Sequence, residues 1–240
     1  MYAIQIKNLR SKAKKHTILH NINLNIPENQ IFWFIWPNGA WKTTTINCIL
    51  WQFPIDNWEI FLYGEKFQTK LTKNIWYAPD EAIFYEHLSC IEHLIFFGEI
   101  SDINKQQAKT IWLQLLKKLW LDYAKNRKVK EYSKWMKQRL GIAIALINDP
   151  KLLIFDEPMN WLDPLWRKLI KNLMKELRNQ WKTIFFSTHI LSDVEEIADQ
   201  FSLIHEWKIL LTKNVNELNK NLEQTFINEI KKQNHKTQIS

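Results

Sequence analysis

One segment of the chain has the spacing of a phosphate-binding loop, but Trp stands at both of its glycine positions. Its residues are Trp36, Pro37, Asn38, Gly39, Ala40, Trp41, Lys42, Thr43 and Thr44. With Gly for the two Trp, the segment reads G-x-x-x-x-G-K-T, a P-loop whose backbone N–H groups cradle phosphates. Phosphate oxygens approach such N–H groups to about 3 Å, so indole rings should block the loop. Lys42 would reach the β- and γ-phosphates, and the Thr43 hydroxyl would coordinate Mg²⁺.

Two consecutive carboxylates, Asp156 and Glu157, follow the apolar run 152–155. At the end of a buried strand, Asp156 suits a water-mediated contact with Mg²⁺. Glu157 is placed to act as a general base on an attacking water. Alone, the pair could be a strand-end cap or a surface pair, but ligands bind at the carboxyl edge of open α/β sheets. Together with a P-loop, the pair favours nucleotide hydrolysis.

The Trp content is itself anomalous, with 13 Trp and only 4 Gly. Average usage of about 7% predicts roughly 17 Gly in a chain of this length. Twelve Trp lie in contexts typical of Gly: Trp33, Trp36, Trp41, Trp51, Trp58, Trp76, Trp120, Trp135, Trp161, Trp166, Trp181 and Trp207. Several of these are turn positions, where Gly reaches positive φ without steric cost. Trp112 alone lies in an ordinary apolar helical pattern.

We hypothesise that these twelve residues are glycine in the living cell. Some bacterial lineages read the codon UGA as Gly, whereas a common translation table reads it as Trp. A usage of 28 Lys against 5 Arg, with abundant Ile and Asn, fits an AT-rich genome. The alternative is that the Trp are real and the protein is a degenerate relative that does not bind nucleotide.

Apolar patterns predict an α/β chain built around a parallel sheet. Alternation predicts strands at 2–9, 17–26 and 59–63, and continuous apolar runs predict buried strands at 30–35, 151–155 and 183–187. A β-hairpin is predicted at 201–211. Helices are predicted at about 42–50, over most of 80–148, at 165–178 and at 189–198, and an amphipathic segment begins at 214 and frays into a polar tail.

The overall composition sets bounds without naming a partner. The net charge of +8 is compatible with nucleic acid or an anionic membrane, but the lysines are scattered, and no nucleic acid is expected. Cys48 and Cys90 lack metal or redox spacing and are predicted to be core residues of a reducing cytosol. No signal peptide precedes the first strand, and the longest apolar runs fall below the ~18 residues that span a bilayer.

Three further motifs carry a family resemblance once Trp is read as Gly. Residues 132–140, Tyr-Ser-Lys-Trp-Met-Lys-Gln-Arg-Leu, look like the ABC signature. Residues 160–164, Asn-Trp-Leu-Asp-Pro, look like the D-loop, and 187–189, Ser-Thr-His, like the switch-histidine loop. The chain therefore resembles the ATP-binding subunit of ABC transporters over nearly its whole length, and most closely the stand-alone subunits of ABC-2-type exporters.

The resemblance implies a P-loop NTPase fold of the ABC-ATPase type. Its parts would be an N-terminal antiparallel β subdomain, a central mostly parallel sheet and an inserted helical lobe at about 80–148. It implies an ATPase domain over 1–213 and a C-terminal amphipathic helix with a polar tail over 214–240. It also implies a cytoplasmic subunit, peripheral on the inner face of the cell membrane, working with a separate permease.

The resemblance also assigns residues to ATP and Mg²⁺. Two copies would sandwich two ATP molecules, each bound by the P-loop residues 36–44 of one copy and by the signature of the other. The implied ATP contacts outside the P-loop are Ser133, Trp135, Met136 and Asp163. The implied catalytic residues are Glu157, His189 and Lys42, and the implied Mg²⁺ contacts are Thr43, Asp156 and Asp80.

Two departures and two alternatives accompany this resemblance. No aromatic residue lies near 12–15 to stack on adenine, although His16 is close, and Asp80 replaces the glutamine of the Q-loop. A soluble ABC ATPase acting on ribosomes or DNA is disfavoured because the chain has neither a second ATPase module nor a long coiled coil. A catalytically dead scaffold would follow if the Trp are real. Homodimer and heterodimer both remain open.

Overall fold

The structure of the chain, a computed structural model, describes residues 1–13, 16–35, 46–48, 50, 57–68, 74–103, 105–160, 162–205, 208–218 and 221–239. These residues form two compact units. The first contains 1–69 together with 171–240, and the second contains 70–170. The predicted P-loop, residues 36–44, lies outside the described residues, as do Trp51, Trp161 and Trp207 and the side chain of His16.

The strands and helices take the following bounds. The strands are β1 (Tyr2–Ala13), β2 (His16–Pro27), β3 (Ile31–Ile35), β4 (Asn57–Leu62), β5 (Glu65–Lys66), β6 (Ile75–Ala78), β7 (Leu152–Asp156), β8 (Thr183–Ser187), β9 (Gln200–His205) and β10 (Lys208–Asn214). The α-helices are α1 (Cys90–Ile100), α2 (Lys105–Lys118), α3 (Lys134–Ala145), α4 (Pro164–Asn179), α5 (Leu191–Ile197) and α6 (Leu222–Ile239). Short 3₁₀ turns span Asp122–Ala124, Val129–Glu131 and Val215–Leu218.

The first unit holds an antiparallel sheet in the order β2-β1-β4-β5 and a second group of strands built around β3. There β3 runs parallel to both β8 and β9, and β10 closes on β9 as an antiparallel hairpin. All five residues of β3 and all five of β8 are buried. Continuous apolar runs are typical of strands covered on both faces, so the predicted buried strands are confirmed. Stacking of Phe32 on Phe185, with ring centroids 6.2 Å apart, joins these two strands.

The second unit is built from a parallel strand pair and three helices. Strand β6 pairs with β7 in parallel, in the register Ile75↔Leu152 to Ala78↔Phe155. Helix α1 starts with a capping box between Ser89 and Glu92. Helices α1 and α2 approach closely at Gly98, where an added Cβ would lie 2.5 Å from Cζ2 of Trp112. Trp112 is buried, as an ordinary Trp should be.

Helices α2 and α4 both end at a Trp in the left-handed conformation. Trp120 has φ 52° and Trp181 has φ 65°. In α4, Lys182 N–H donates to Leu177 O (3.2 Å) and Trp181 N–H to Arg178 O (2.9 Å). This is the Schellman motif, whose left-handed residue is usually Gly. Both positions were predicted to need glycine, and their backbone has the conformation that glycine favours.

Helix α2 ends with the same pair of bonds. Leu121 N–H donates to Leu116 O (2.8 Å), and Trp120 N–H donates to Lys117 O (3.0 Å). Helix α1 ends likewise, but its left-handed residue is Asp102, with φ 59°. Asp tolerates this conformation better than most residues do. The same motif therefore has Asp as its left-handed residue at the end of α1, and Trp at the ends of α2 and α4.

Other predicted positions differ from expectation. Trp58, predicted to lie in a turn before a strand, belongs to β4, because that strand extends over Asn57–Leu62. Strand β1 continues to Ala13, four residues beyond its predicted end, in a hairpin with β2. Helix α5 begins at Leu191 rather than at His189. The predicted fraying tail is helical through Ile239. Within the described residues, no helix has the length and apolarity needed to cross a membrane.

Trp33 differs from Trp120 and Trp181 in its backbone conformation and burial. It lies in the middle of β3, is fully buried, and donates from Nε1 to Thr188 O over 3.1 Å. Its ring packs on Phe201, with centroids 6.1 Å apart. The backbone here is an ordinary extended strand, so at this position the conformation makes no demand for glycine.

Candidate functional site

Acidic side chains gather at the carboxyl ends of β6 and β7. Asp156 is the last residue of β7, and Glu157 follows it; both are buried. Asp80 comes two residues after β6. Because β6 and β7 run parallel, their carboxyl ends lie at one edge of the unit. Asp80 and Asp156, both predicted to contact Mg²⁺, thus follow neighbouring parallel strands at the same edge.

Electrostatics link these carboxylates to Tyr77. Burial raises the pKa of the Tyr77 phenol well above its usual value, and the negative charges of Asp156 and Asp80 raise it further. A phenol held neutral between two carboxylates remains a hydrogen-bond donor over the whole physiological pH range. Tyr77 was not predicted, because an aromatic residue in a strand has no sequence signal that distinguishes it from core.

A tight turn follows β7 and carries the predicted general base. Glu157 adopts a left-handed backbone, with φ 48°, and its carbonyl accepts a hydrogen bond from Asn160 N–H over 3.0 Å. Non-glycine residues in this conformation are strained, and such strain concentrates at functional sites. Asn160 Nδ2 also donates to Asp80 Oδ1 over 3.2 Å. The predicted D-loop and the Asp80 loop are therefore in direct contact, which the sequence did not indicate.

In the first unit, β3 and β8 end side by side. Phe34 pairs with Ser187, and Trp33 Nε1 reaches Thr188 O. Residue 36, the first of the predicted P-loop, therefore follows a strand whose neighbour leads into His189. The His189 side chain is exposed, and Thr188 Oγ1 accepts a hydrogen bond from Ile190 N–H over 3.3 Å. The end of β3 and the start of the histidine loop therefore lie at one edge of this unit.

The predicted signature begins helix α3. Ser133 is the N-cap, and its Oγ accepts a hydrogen bond from Met136 N–H over 3.2 Å. Ser133 is exposed, and Trp135 in the first turn is 42% exposed. A helix N-terminus carries positive potential that attracts anions. Ser133 and this helix start can therefore face a phosphate supplied from outside the unit.

Asp163 plays the same capping role for α4. Its Oδ1 accepts hydrogen bonds from Leu165 N–H (2.9 Å) and Trp166 N–H (3.0 Å). An N-cap carboxylate stabilises a helix through these bonds and through the helix dipole. The residue predicted to link two ATP sites thus has a local structural role as well.

The donor set at the acidic edge suits Mg²⁺. Among the residues that the structure describes, no group of three or more His, Cys, Asp or Glu side chains forms a metal-binding cluster. Mg²⁺ is commonly held by one or two carboxylates together with water and substrate phosphates. Asp156 and Asp80 offer two carboxylates at one edge, which fits an ion that also binds a nucleotide.

One further residue of this region was missed. Arg139 of α3 is buried (5% exposed) and donates to three main-chain carbonyls, those of Leu119, Trp120 and Trp135. An arginine in the sixth position of a helix carries no local signal for such bonds. Arg139 lies within the signature-like segment 132–140, but that motif does not indicate these bonds.

The chain is similar in sequence to known transport ATP-binding proteins. Residues 19–160 match the family model described as ABC transporter. The lantibiotic transport ATP-binding protein SrtF of Streptococcus pyogenes is 37% identical over 227 residues, which cover 95% of this chain and 97% of that protein. The bacitracin transport ATP-binding protein BcrA of Enterococcus faecalis is 32% identical, with coverage of 91% and 71%.

The fold also matches a solved structure. The structure of an ATP-binding subunit of an ABC transporter superposes with a TM-score of 0.87. It is 24% identical in sequence, and the match covers 95% of this chain and 99% of that one. The α/β fold with one antiparallel sheet and one mostly parallel sheet is the predicted one.

Proposed function

This chain belongs to the ABC transporter family, and we infer its function from that membership. It is an ATP-binding subunit of that family, whose members hydrolyse ATP to power transport. We propose that it drives an exporter through a separate membrane permease. The observation that carries the hydrolytic part is the acidic edge, where the parallel β6–β7 pair brings Asp80, Asp156 and Glu157 together.

Each residue has a proposed role in hydrolysis. The P-loop residues 36–44 bind the phosphates of ATP, with Lys42 on the β- and γ-phosphates. Thr43, Asp156 and Asp80 would hold Mg²⁺, which supplies positive charge to the transferred phosphoryl group. Glu157 takes a proton from the attacking water, and His189 contacts the γ-phosphate and orients that water. The buried, strained Glu157 and the exposed His189 support these roles.

A second copy would complete each ATP site. Ser133 and the main chain at Trp135 and Met136 would face the γ-phosphate bound by the other copy, since the α3 N-terminus attracts anions. Asp163 would link the two sites. The exposure of Ser133 and of Trp135 supports this arrangement, because both are open to a partner surface.

The permease would dock on the loop that follows Asp80. Ile83 is 97% exposed and Tyr85 half exposed, so both side chains offer apolar area that a partner surface would bury. Beside them, a groove of about 300 Å³ is lined by residues 80–82 and by Lys134, Lys137 and Gln138. Relatives named for lantibiotic and bacitracin transport support a cargo of the peptide-antibiotic class.

The hydrolysis proposal is tested by Glu157→Gln. The amide is isosteric but cannot accept the proton of the water, so hydrolysis should fall by about 10²- to 10⁴-fold, while MgATP binding is retained. Both this variant and the control Glu131→Gln of the same unit are made in a chain with Gly at the twelve Gly-like Trp positions, because Trp36 and Trp41 should block the P-loop. The measurement is phosphate release together with fluorescent-nucleotide binding. Undiminished phosphate release from Glu157→Gln would refute the assigned role.

We further propose that the twelve Gly-like Trp positions are glycine in the cell. Left-handed φ at Trp120 and Trp181 supports this, because Trp pays a steric cost there and Gly does not. Reading the codons tests it directly: UGA at the twelve positions supports the proposal, and UGG refutes it. The functional counterpart compares MgATP binding by the chain as written with that of its twelvefold Trp→Gly form.

A dead scaffold subunit is the competing function. Its specific support is Trp33, which fills the core of β3 with its N–H bonded, as a genuine Trp would. The same nucleotide-binding comparison decides between them. MgATP binding and hydrolysis by the chain as written would refute the steric argument, whereas no binding by that chain together with UGG at the twelve codons would support the scaffold.

A further inference from the structure

Arg139 lies where three helix termini of the second unit meet. Its Nη1 donates to Leu119 O (3.1 Å) and to Trp120 O (3.2 Å), just beyond the end of α2. Its Nε donates to Trp135 O (3.4 Å), in the first turn of α3. Its guanidinium carbon lies 4.0 Å from the ring centroid of Trp166, in the first turn of α4.

The chemistry of arginine suits this junction. A helix C-terminus presents carbonyls with partial negative charge, which a cation stabilises. The planar guanidinium offers several donors in fixed directions, so it can bind carbonyls from two elements at once. Lysine has one ammonium group and cannot reproduce that geometry. Burial lowers the pKa of Arg139, and neighbours including Tyr123 and Asp163 counter this; a guanidinium keeps its proton in proteins.

The bonds are independent of the identity of residues 119, 120 and 135. All three acceptors are main-chain carbonyls. If Trp120 and Trp135 are glycine in the cell, the acceptors remain, and the left-handed turn at 120 becomes less costly. The ring contact with Trp166 is lost if residue 166 is glycine too, whereas the bonds to the end of α2 remain.

One of the joined elements carries residues assigned to the dimer, because Ser133 is the N-cap of helix α3. We propose that Arg139 is a positioning residue that ties α3 to the end of α2 and so holds the α3 N-terminus in the arrangement through which one copy engages the nucleotide of the other. This inference rests on the proposed function. Arg139 itself would touch neither ATP nor the partner copy.

Loss of Arg139 should affect MgATP binding and MgATP-dependent dimerisation differently. Binding of MgATP to a single copy is assigned to its own P-loop, and Arg139 is not among the residues of that assignment. Dimerisation on MgATP is assigned in addition to Ser133 at the start of α3, the helix that Arg139 ties to the end of α2. We therefore expect Arg139→Met to bind nucleotide with unchanged affinity but to weaken MgATP-dependent dimerisation by about 10- to 100-fold, the scale of lost hydrogen bonds to a charged group.

The experiment uses the full chain in its twelvefold Trp→Gly form. Glu157→Gln is included so that MgATP accumulates instead of being hydrolysed. Dimerisation is measured by sedimentation velocity with MgATP, and binding by a fluorescent ATP analogue at concentrations where the chain is monomeric. Arg139→Lys should restore dimerisation only in part. Arg127→Met, an exposed arginine of the same unit, is the matched control and should behave as the parent.

The outcomes differ clearly. Loss of dimerisation with retained binding in Arg139→Met, and an intermediate value for Arg139→Lys, supports the proposal. Parental dimerisation in both variants overturns it. Equal loss of binding and dimerisation also overturns it, because Arg139 would then only maintain the fold. If the parent itself neither binds nor dimerises on MgATP, the proposed function is refuted, and this inference with it.

Discussion

At Trp181, the left-handed residue that ends α4, the energetic preference for glycine can be measured at a single position. Trp181 is 77% exposed and has φ 65°, so its indole contributes little burial while its Cβ is crowded by the backbone. The left-handed conformation costs an L-residue about 1–2 kcal/mol. Gly loses roughly 0.5–1 kcal/mol more conformational entropy than Ala on folding. We therefore expect Trp181→Gly to exceed Trp181→Ala in free energy of unfolding by about 1 kcal/mol.

The comparison of Gly with Ala isolates the Cβ, because both variants lack the indole. Urea denaturation of the full chain, followed by circular dichroism, should show a higher midpoint for Trp181→Gly by about 0.3–1 M, given slopes of about 1–3 kcal/mol/M. The melting temperature should rise by about 2–4 °C for each kcal/mol. Asn172, exposed in the middle of the same helix, is the matched control. There Gly should be the less stable variant by about 1 kcal/mol.

Opposite signs at 181 and 172 are the core of this prediction. If Trp181→Gly is no more stable than Trp181→Ala, the left-handed geometry is not what the position requires. In that case the structural support for glycine at the helix ends is withdrawn. A gain of similar size at both positions would instead point to a general effect of Gly on the unfolded chain.

Two further predictions concern the helical unit. His93 is fully buried, bonding Ser89 O through Nδ1 and accepting from Tyr85 N–H at Nε2. Burial chiefly lowers its pKa below the usual 6.5, so the unfolded chain takes up the proton first. The free energy of unfolding should fall as pH drops below 6.5, and His93→Gln should flatten this dependence in urea titrations at pH 5 to 7; an unchanged slope would contradict the assignment. Gly98→Ala should destabilise the chain by about 1–3 kcal/mol through its clash with Trp112, and thermal melts should show partial recovery when Trp112→Leu is added.

The sequence predicted the buried strands well. The apolar runs at 151–155 and 183–187 agree with β7 and β8 to within one residue. Strands covered on both faces must be apolar throughout, so the ends of the apolar run mark where such a strand begins and ends. By contrast, β1 runs on through Lys12 to Ala13, since its antiparallel pairing with β2 is held by main-chain bonds that polar residues also make.

The candidate site was likewise predictable from the sequence only in part. Asp156 and Glu157 could be placed at a strand end because the strand before them was recognisable. The bonds of Asn160 to Asp80 and of Arg139 to Leu119 could not be foreseen, because they join residues 80 and 20 positions apart. Such bonds depend on tertiary packing, and neither periodicity nor a local motif encodes them.

The main-chain closure of α2 and α4 bears on how the protein is produced. Hydrogen bonds between backbone groups form whichever side chain is inserted at 120 or 181, so a ribosome that inserts Trp still yields the same helix ends, at a higher energy. Stability of a few kcal/mol governs how much of a chain survives proteolysis in a cell. If the twelve codons are UGA, a host that reads UGA as Gly should therefore give more soluble protein than a host that reads it as Trp. This comparison tests the coding assignment without an ATP assay.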